Sequence, residues 1–211
     1  MTDFLPLFPL KLIVYPGEQL NLHIFEPRYK QLIRECEDNG ISFGVPSYIN
    51  NEMTDFGTEI QLLKVEKRYD NGELDIRTKG LGVFKIHEFY RTAPNKLYAG
   101  ADIERVNDAD NGDQVIYAEL IEFLIVLYQL LNIKKPIPEN NAEFRSFDIA
   151  HHVGFSMEQE YEFLCIPSEL ERQKYMLAHF KRLIPVVKEM ERLRKKAQMN
   201  GHFKNLIPPN I

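Results

Sequence analysis

Cysteine is scarce in this chain: Cys36 and Cys165 are the only two among 211 residues, far apart and without a C-x-x-C spacing. That excludes a disulfide-stapled scaffold and a cysteine-rich zinc site. With Met1-Thr2-Asp3 leading straight into strand-like sequence rather than a secretory leader, it points to a reducing cytoplasm. Both thiols are expected to be buried. No Gly-Lys pair occurs anywhere, so the G-x-x-x-x-G-K-[ST] loop that cradles nucleotide phosphates with backbone N–H groups is missing, and an ATP site of that kind is excluded. Long hydrophobic runs are missing too. The most apolar stretch, 115–131, is 17 residues long and carries Glu119 and Glu122, which suits a core helix better than a membrane span. Solenoid repeats and low-complexity segments are also absent.

What is present is ordinary for a globular protein, with 44% apolar and 27% charged residues. The net charge of −5 hides an uneven distribution. Residues 107–171 hold 13 acidic and 3 basic side chains, whereas 172–211 hold 10 basic and 2 acidic. The simplest meaning is an acidic helical region beside a basic last helix, each partly neutralising the other.

The chain opens on Leu5-Pro6-Leu7-Phe8-Pro9-Leu10, continues through Val14-Tyr15-Pro16-Gly17, and reaches Leu22-His23-Ile24-Phe25-Glu26-Pro27-Arg28-Tyr29. This reads as an extended strand, a tight turn, a second strand, and a helix opened by Pro27, because proline suits the first helical position. That helix is expected to stop at Asn39-Gly40. Strands are predicted over 41–45 and 59–68, then a hairpin at Tyr69-Asp70-Asn71-Gly72-Glu73, where Asn-Gly favours a type I′ turn. Gly80 and Gly82 flank Leu81 at a predicted bend or bulge before a strand over 83–89, and alternation returns over 97–103. Five or six strands closing on themselves would leave few exposed edges.

From Gly112 onward the pattern is helical. It is interrupted by a proline and asparagine loop over 135–141 and punctuated by capping boxes at Ser156/Gln159 and Ser168/Glu171. On the helix over 115–131, Ile116, Leu120, Phe123, Leu124, Leu127 and Leu131 share the expected core face. The last helix repeats Met176, Phe180, Leu183, Val187 and Met190 as a packing seam, and Pro185 inside it predicts a kink or a break into two helices. The predicted architecture is α+β: a β-rich unit over 1–106 with one early helix, then a helical unit over 107–211.

The opening motif, and more loosely Ile149-Ala150-His151-His152-Val153-Gly154-Phe155-Ser156 with Glu158-Gln159, Leu164 and 168–172, resembles the amino-terminal domain of Lon proteases. The resemblance implies a PUA-like β-barrel followed by a helical bundle, and a stand-alone, ATP-independent module that binds proteins rather than transforms them. No cofactor and no metal are expected. The implied partners are polypeptide clients or a protease or chaperone of protein quality control. With this length given over to recognition, no room is expected for the ATPase and Ser-Lys protease of the full-length relatives.

Pro9, Pro16, Gly17, Phe25, Glu26, Arg28 and Tyr29 carry that signature, and each has a structural reading. Glu26 would cap the Pro27 helix and Arg28 would brace strand to helix, while Phe25 and Tyr29 would plug the barrel. A pocket for Glu26 and Arg28 is the weaker alternative. Adjacent His151 and His152 diverge by about 100° on a helix and, with Cys165 and His179 downstream, match no zinc spacing. They are read as helix-surface or interface residues. The second functional reading is RNA binding through Arg192, Arg194, Lys195 and Lys196, which would suit phosphates but equally complement a helix carboxy-terminus. Peptide binding would need an apolar groove between barrel and helices or a free strand edge, to which alternation alone assigns no residue.

Overall fold

The computed structural model describes residues 3–137 and 145–203; the expected loop beyond Ile137 and the last eight residues of the chain lie outside the described residues. Six strands come first: β1 (Asp3–Leu7), β2 (Gln19–Ile24), β3 (Phe43–Ile49), β4 (Glu52–Arg68), β5 (Leu74–Tyr90) and β6 (Ala99–Arg105). Helix α1 (Pro27–Asn39) lies between β2 and β3. After β6 come α2 (Gln114–Leu131), a 3₁₀ helix (Ser146–His152), α3 (Met157–Leu164) and α4 (Glu169–Phe203).

The sheet order β2-β5-β4-β3-β1-β6 has an additional β5–β6 pairing, so five strands form a closed ring and β2 is appended to β5. One long strand makes this possible. The first part of β5 pairs with β2, from Leu74 to Lys79, and the last part with β6, from Phe84 to Tyr90, while β4 runs along the other side from Leu74 to Lys85. Between them the register slips, Glu59 facing Gly82 and Ile60 facing Gly80, so Leu81 is the extra residue of a bulge. The bulge turns the strand toward its second partner without ending it.

The opening motif builds the next layer. Phe8 and Leu10 donate their N–H groups to Gly44 and Pro46, so Pro9 stands between two bonded positions, where a missing N–H costs nothing. Tyr15-Pro16-Gly17-Glu18 is a type II turn: the Glu18 N–H donates to the Tyr15 carbonyl and Gly17 has a φ of 86°. This turn seats directly on the β5 bulge. Gly17 donates to Gly80 and Gly80 to Glu18, and a Cβ on Gly80 would lie 2.3 Å from the Tyr15 oxygen. Helix α1 starts at Pro27 and ends where Gly40, at a φ of 66°, returns its N–H to the Cys36 carbonyl. Its buried residues Tyr29, Leu32, Ile33 and Cys36 recur at helical spacing.

Three expectations about elements need correction. The β4–β5 hairpin is not a two-residue type I′ turn, because of Asn71 and Gly72 only Gly72 has positive φ, and a longer loop closes with Gly72 donating to Tyr69. The two-residue turn is instead at Asn50-Asn51, with φ of 52° and 66°, joining β3 to a β4 that starts earlier than expected. Of the kink or break expected at Pro185, the break into two helices does not occur: helix α4 runs on through it. Ile184 and Val187, on either side of the proline, are both buried in the helical core, and their packing holds the helix together across the lost hydrogen bond.

The helical part packs on the barrel through a shared core. Ile13, Tyr15 and Val83 from the β-rich part join Leu120, Leu124, Phe147, Phe163, Met176 and Phe180. Both halves of the Ser156/Gln159 capping box form. At the second box the Glu171 N–H donates to Ser168 Oγ, but the Glu171 carboxylate turns to Lys174.

Candidate functional site

Most of the charged and aromatic residues singled out in the sequence serve structure. Tyr29 is buried, its ring 3.8 Å from that of Phe8. Phe25 does not plug the barrel: it is 59% exposed, because Ile24 beside it points inward and successive strand residues point oppositely. Glu26 is the N-cap residue by position only. Its side chain makes no cap bond and instead accepts from Arg28 Nε at 2.8 Å, while its backbone carbonyl receives Tyr29 and Lys30. Arg28 then lies 4.5 Å over the Tyr29 ring rather than bridging to the barrel.

Cys36 is buried, and burial pushes its thiol up to about 12, which removes its nucleophilic form at neutral pH. Cys165 is only partly buried, contrary to expectation, because it caps the short α3 rather than lying on a core face. His151 and His152 do diverge. His151 Nδ1 lies 2.8 Å from Glu160 and Nε2 3.2 Å from Glu18, and its ring packs against Tyr15, so it ties the Pro16-Gly17 turn to α3. His152 faces Lys135, and His179 Nε2 donates to the Val153 carbonyl.

Two ion clusters, the first buried and the second with only its carboxylate buried, went unnoticed in the sequence. Arg172, fully buried, donates to Glu169, Asp108 and the Ile166 carbonyl and stacks over Phe147, while Glu169 also receives the Ser146 N–H and hydroxyl. Glu59 accepts from Arg105 through two nitrogens, which holds its carboxyl below the usual range, and from Ser42. A signal existed for the first, in the Glu169/Arg172 spacing of one turn. None existed for the second, which joins strands distant in sequence.

The basic cluster on α4 is less available than its sequence suggests. Arg192 donates to Glu189 at 2.7 Å and Arg194 to Glu191 at 3.3 Å, each along its own helix, while Lys195 and Lys196 are exposed. Between these pairs Met190 and Leu193 are exposed apolar residues, so the seam predicted through Met190 is buried only as far as Val187.

The surface left over is apolar and lies where α2 outruns its cover. Helix α2 begins with Asp113 accepting from the Val115 and Ile116 N–H groups and ends at Asn132, at a φ of 53°. Its core face holds as expected at Leu120, Leu124 and Leu127, but Leu131 is 46% exposed. There a groove of about 310 Å³ opens between the end of α2, the 3₁₀ helix and α4. Leu127, Tyr128 and Val187 form its buried floor, and Leu131, Ile133 and Leu183 its walls. Lys135 and His152 stand on its rim. A second feature is the outer edge of β2, which pairs with β5 on one side and has no strand partner on the other among the described residues.

The fold is a closed barrel with a helical annex that leaves an apolar groove open. The model of the ATP-dependent protease La (LON) substrate-binding domain matches residues 4–182, and the chain belongs to that family, a family of substrate-recognition modules. The matched stretch contains both the opening motif and the helical motif. Among solved structures, the chain is similar to a Lon N-terminal domain protein from Xanthomonas campestris, at 25% identity and a TM-score of 0.64, over 83% of this chain and 98% of that one. The N-terminal domain of a Mycobacterium avium complex Lon protease shares the fold at 14% identity and a TM-score of 0.65, over 85% and 98% of the two chains.

Proposed function

We propose that the protein is a non-catalytic, ATP-independent module of the reducing cytoplasm that binds unfolded or partly folded polypeptides, alone or for a protein quality-control partner. The observation that carries this reading is the open groove between α2 and α4, whose floor is as buried as a core but whose walls are uncovered. Apolar surface left open in this way is suited to apolar side chains of a partner. Membership of the substrate-binding family supports the same reading. So does the structural employment of Arg172, Glu169, Glu59 and His151, each held in a pair rather than aimed at a reactant. The intrahelical pairing of Arg192 and Arg194 favours polypeptide over RNA as the ligand.

The test is binding of a fluorescently labelled protein held permanently unfolded by reduction and carboxymethylation, compared with its native form and with single-stranded RNA, without nucleotide. Saturable binding of the unfolded form alone is expected, and charge reversal at Arg194, Lys195 and Lys196 should barely change it. Binding of RNA lost on that reversal, with no binding of the unfolded protein, would overturn the reading.

A further inference from the structure

The groove has a polar end, and its chemistry is one-sided. Lys135 Nζ lies 3.5 Å from His152 Nδ1, and Lys135 has no carboxylate partner among the described residues. Burial, followed by the neighbouring Lys135, lowers the pKa of His152, against a hydrogen bond with the His151 backbone that raises it. The Lys135 ammonium carries three N–H donors, of which the imidazole can take one. The groove end therefore offers a cation with donors to spare, while Glu18 and Glu160 are both engaged by the adjacent His151.

We propose that this groove receives the carboxy-terminal residues of a polypeptide, the last apolar side chains on the Leu127, Tyr128 and Val187 floor and the terminal carboxylate on Lys135, beside His152. This rests on the polypeptide-recognition reading and names its substrate class. The spare ammonium N–H groups suit the oxygens of a carboxylate, and a charge-assisted bond is the stronger kind. A terminal carboxylate fits better than an aspartate or glutamate within a chain. Leu131, Ile133 and Lys135 are all exposed, so the groove end is open to water, and a chain end brings apolar side chains and a carboxylate to one groove of about 310 Å³ without further residues.

The experiment uses the full chain and three fluorescent peptides of one apolar sequence ending in Leu-Phe-Leu: the free acid, the carboxy-terminal amide, and an amide with an aspartate placed internally. The free acid should bind about five- to tenfold more tightly than either amide, with an advantage that shrinks as salt is raised. On the K135Q chain the acid and amide forms should bind alike. Equal binding of acid and amide to the unaltered chain, or an acid preference that survives K135Q, would overturn the proposal. Tight binding of the internal aspartate peptide would overturn the choice of a chain end. If no peptide binds while the unfolded protein still does, this assignment fails and the broader reading stands; if neither binds, the broader reading fails as well.

Discussion

Arg172 is the residue whose loss the fold would feel most. It is buried with Glu169 and joins α4 to Asp108, at the junction where the barrel hands over to the helices. Replacing it by methionine keeps most of the volume but strands a buried carboxylate, so Arg172→Met should cost about 3–5 kcal/mol in a urea titration. Adding Glu169→Gln should recover part of that loss, since the carboxylate that remains, Asp108, is partly exposed to solvent. His151 gives a different signature. Burial lowers its pKa, but the hydrogen bonds to Glu160 and Glu18 outweigh this and carry it up to about 9. A raised histidine stabilises fully below its unfolded value of about 6.5, and the contribution disappears as pH climbs through the folded value. The urea midpoint of the protein should therefore exceed that of His151→Gln near pH 6, and the gap should close toward about pH 10. The group is 32% exposed, so solvent screens the effect and it should be small. A gap that widened with pH would mean that the two carboxylates do not hold a charged imidazole.

At the scale of elements, Pro185 offers the clearest test. The proline is exposed in a helix that continues through it, so its ring contributes no core packing, only a missing hydrogen bond. Pro185→Ala should stabilise the protein by about 1–3 kcal/mol, read from chemical denaturation. A loss of stability would show that the ring restrains the unfolded chain more than it disturbs the helix. The expected break at this site illustrates how far local signals reach. Turn and cap chemistry is local, which is why Pro16-Gly17, Pro27, Gly40 and the Ser156 box could be read directly from the sequence. Pro185 is a local signal overruled by packing from residues on other elements. Asn50-Asn51 is the converse, a true type I′ turn with a weak label, since asparagine tolerates positive φ but less readily than glycine. The stronger label at Asn71-Gly72 drew the hairpin correctly and its turn type incorrectly. The groove was illegible for a plainer reason. Leu131 keeps the period of Leu120, Leu124 and Leu127, and periodicity marks an apolar face without saying where the partner stops.

For the molecule as a whole, the arrangement separates a sealed part from an open one. Ring closure hides the edges of the barrel strands, and the pair of buried Glu59 with half-exposed Arg105 ties β4 to β6, so the barrel acts as a platform. The helices use that platform for one end of their core and leave the other end uncovered, around Leu131 and Ile133. Among the described residues this groove leaves apolar core side chains open, and covering that apolar area would add stability. If the groove exists for clients, a charge on its wall should damage binding without damaging the fold. Leu131→Glu places that charge on a side chain already half in solvent, so the melting temperature should hardly move. Capture of the permanently unfolded protein should fall about tenfold, the equivalent of one apolar side chain losing its place. Val115→Glu is the matched control: it puts the same charge on the same helix, at a position 80% exposed and outside the groove. Capture by that variant should match the unaltered chain. Equal losses in the two variants would mean that clients respond to the net charge of α2, and the groove would then no longer explain recognition.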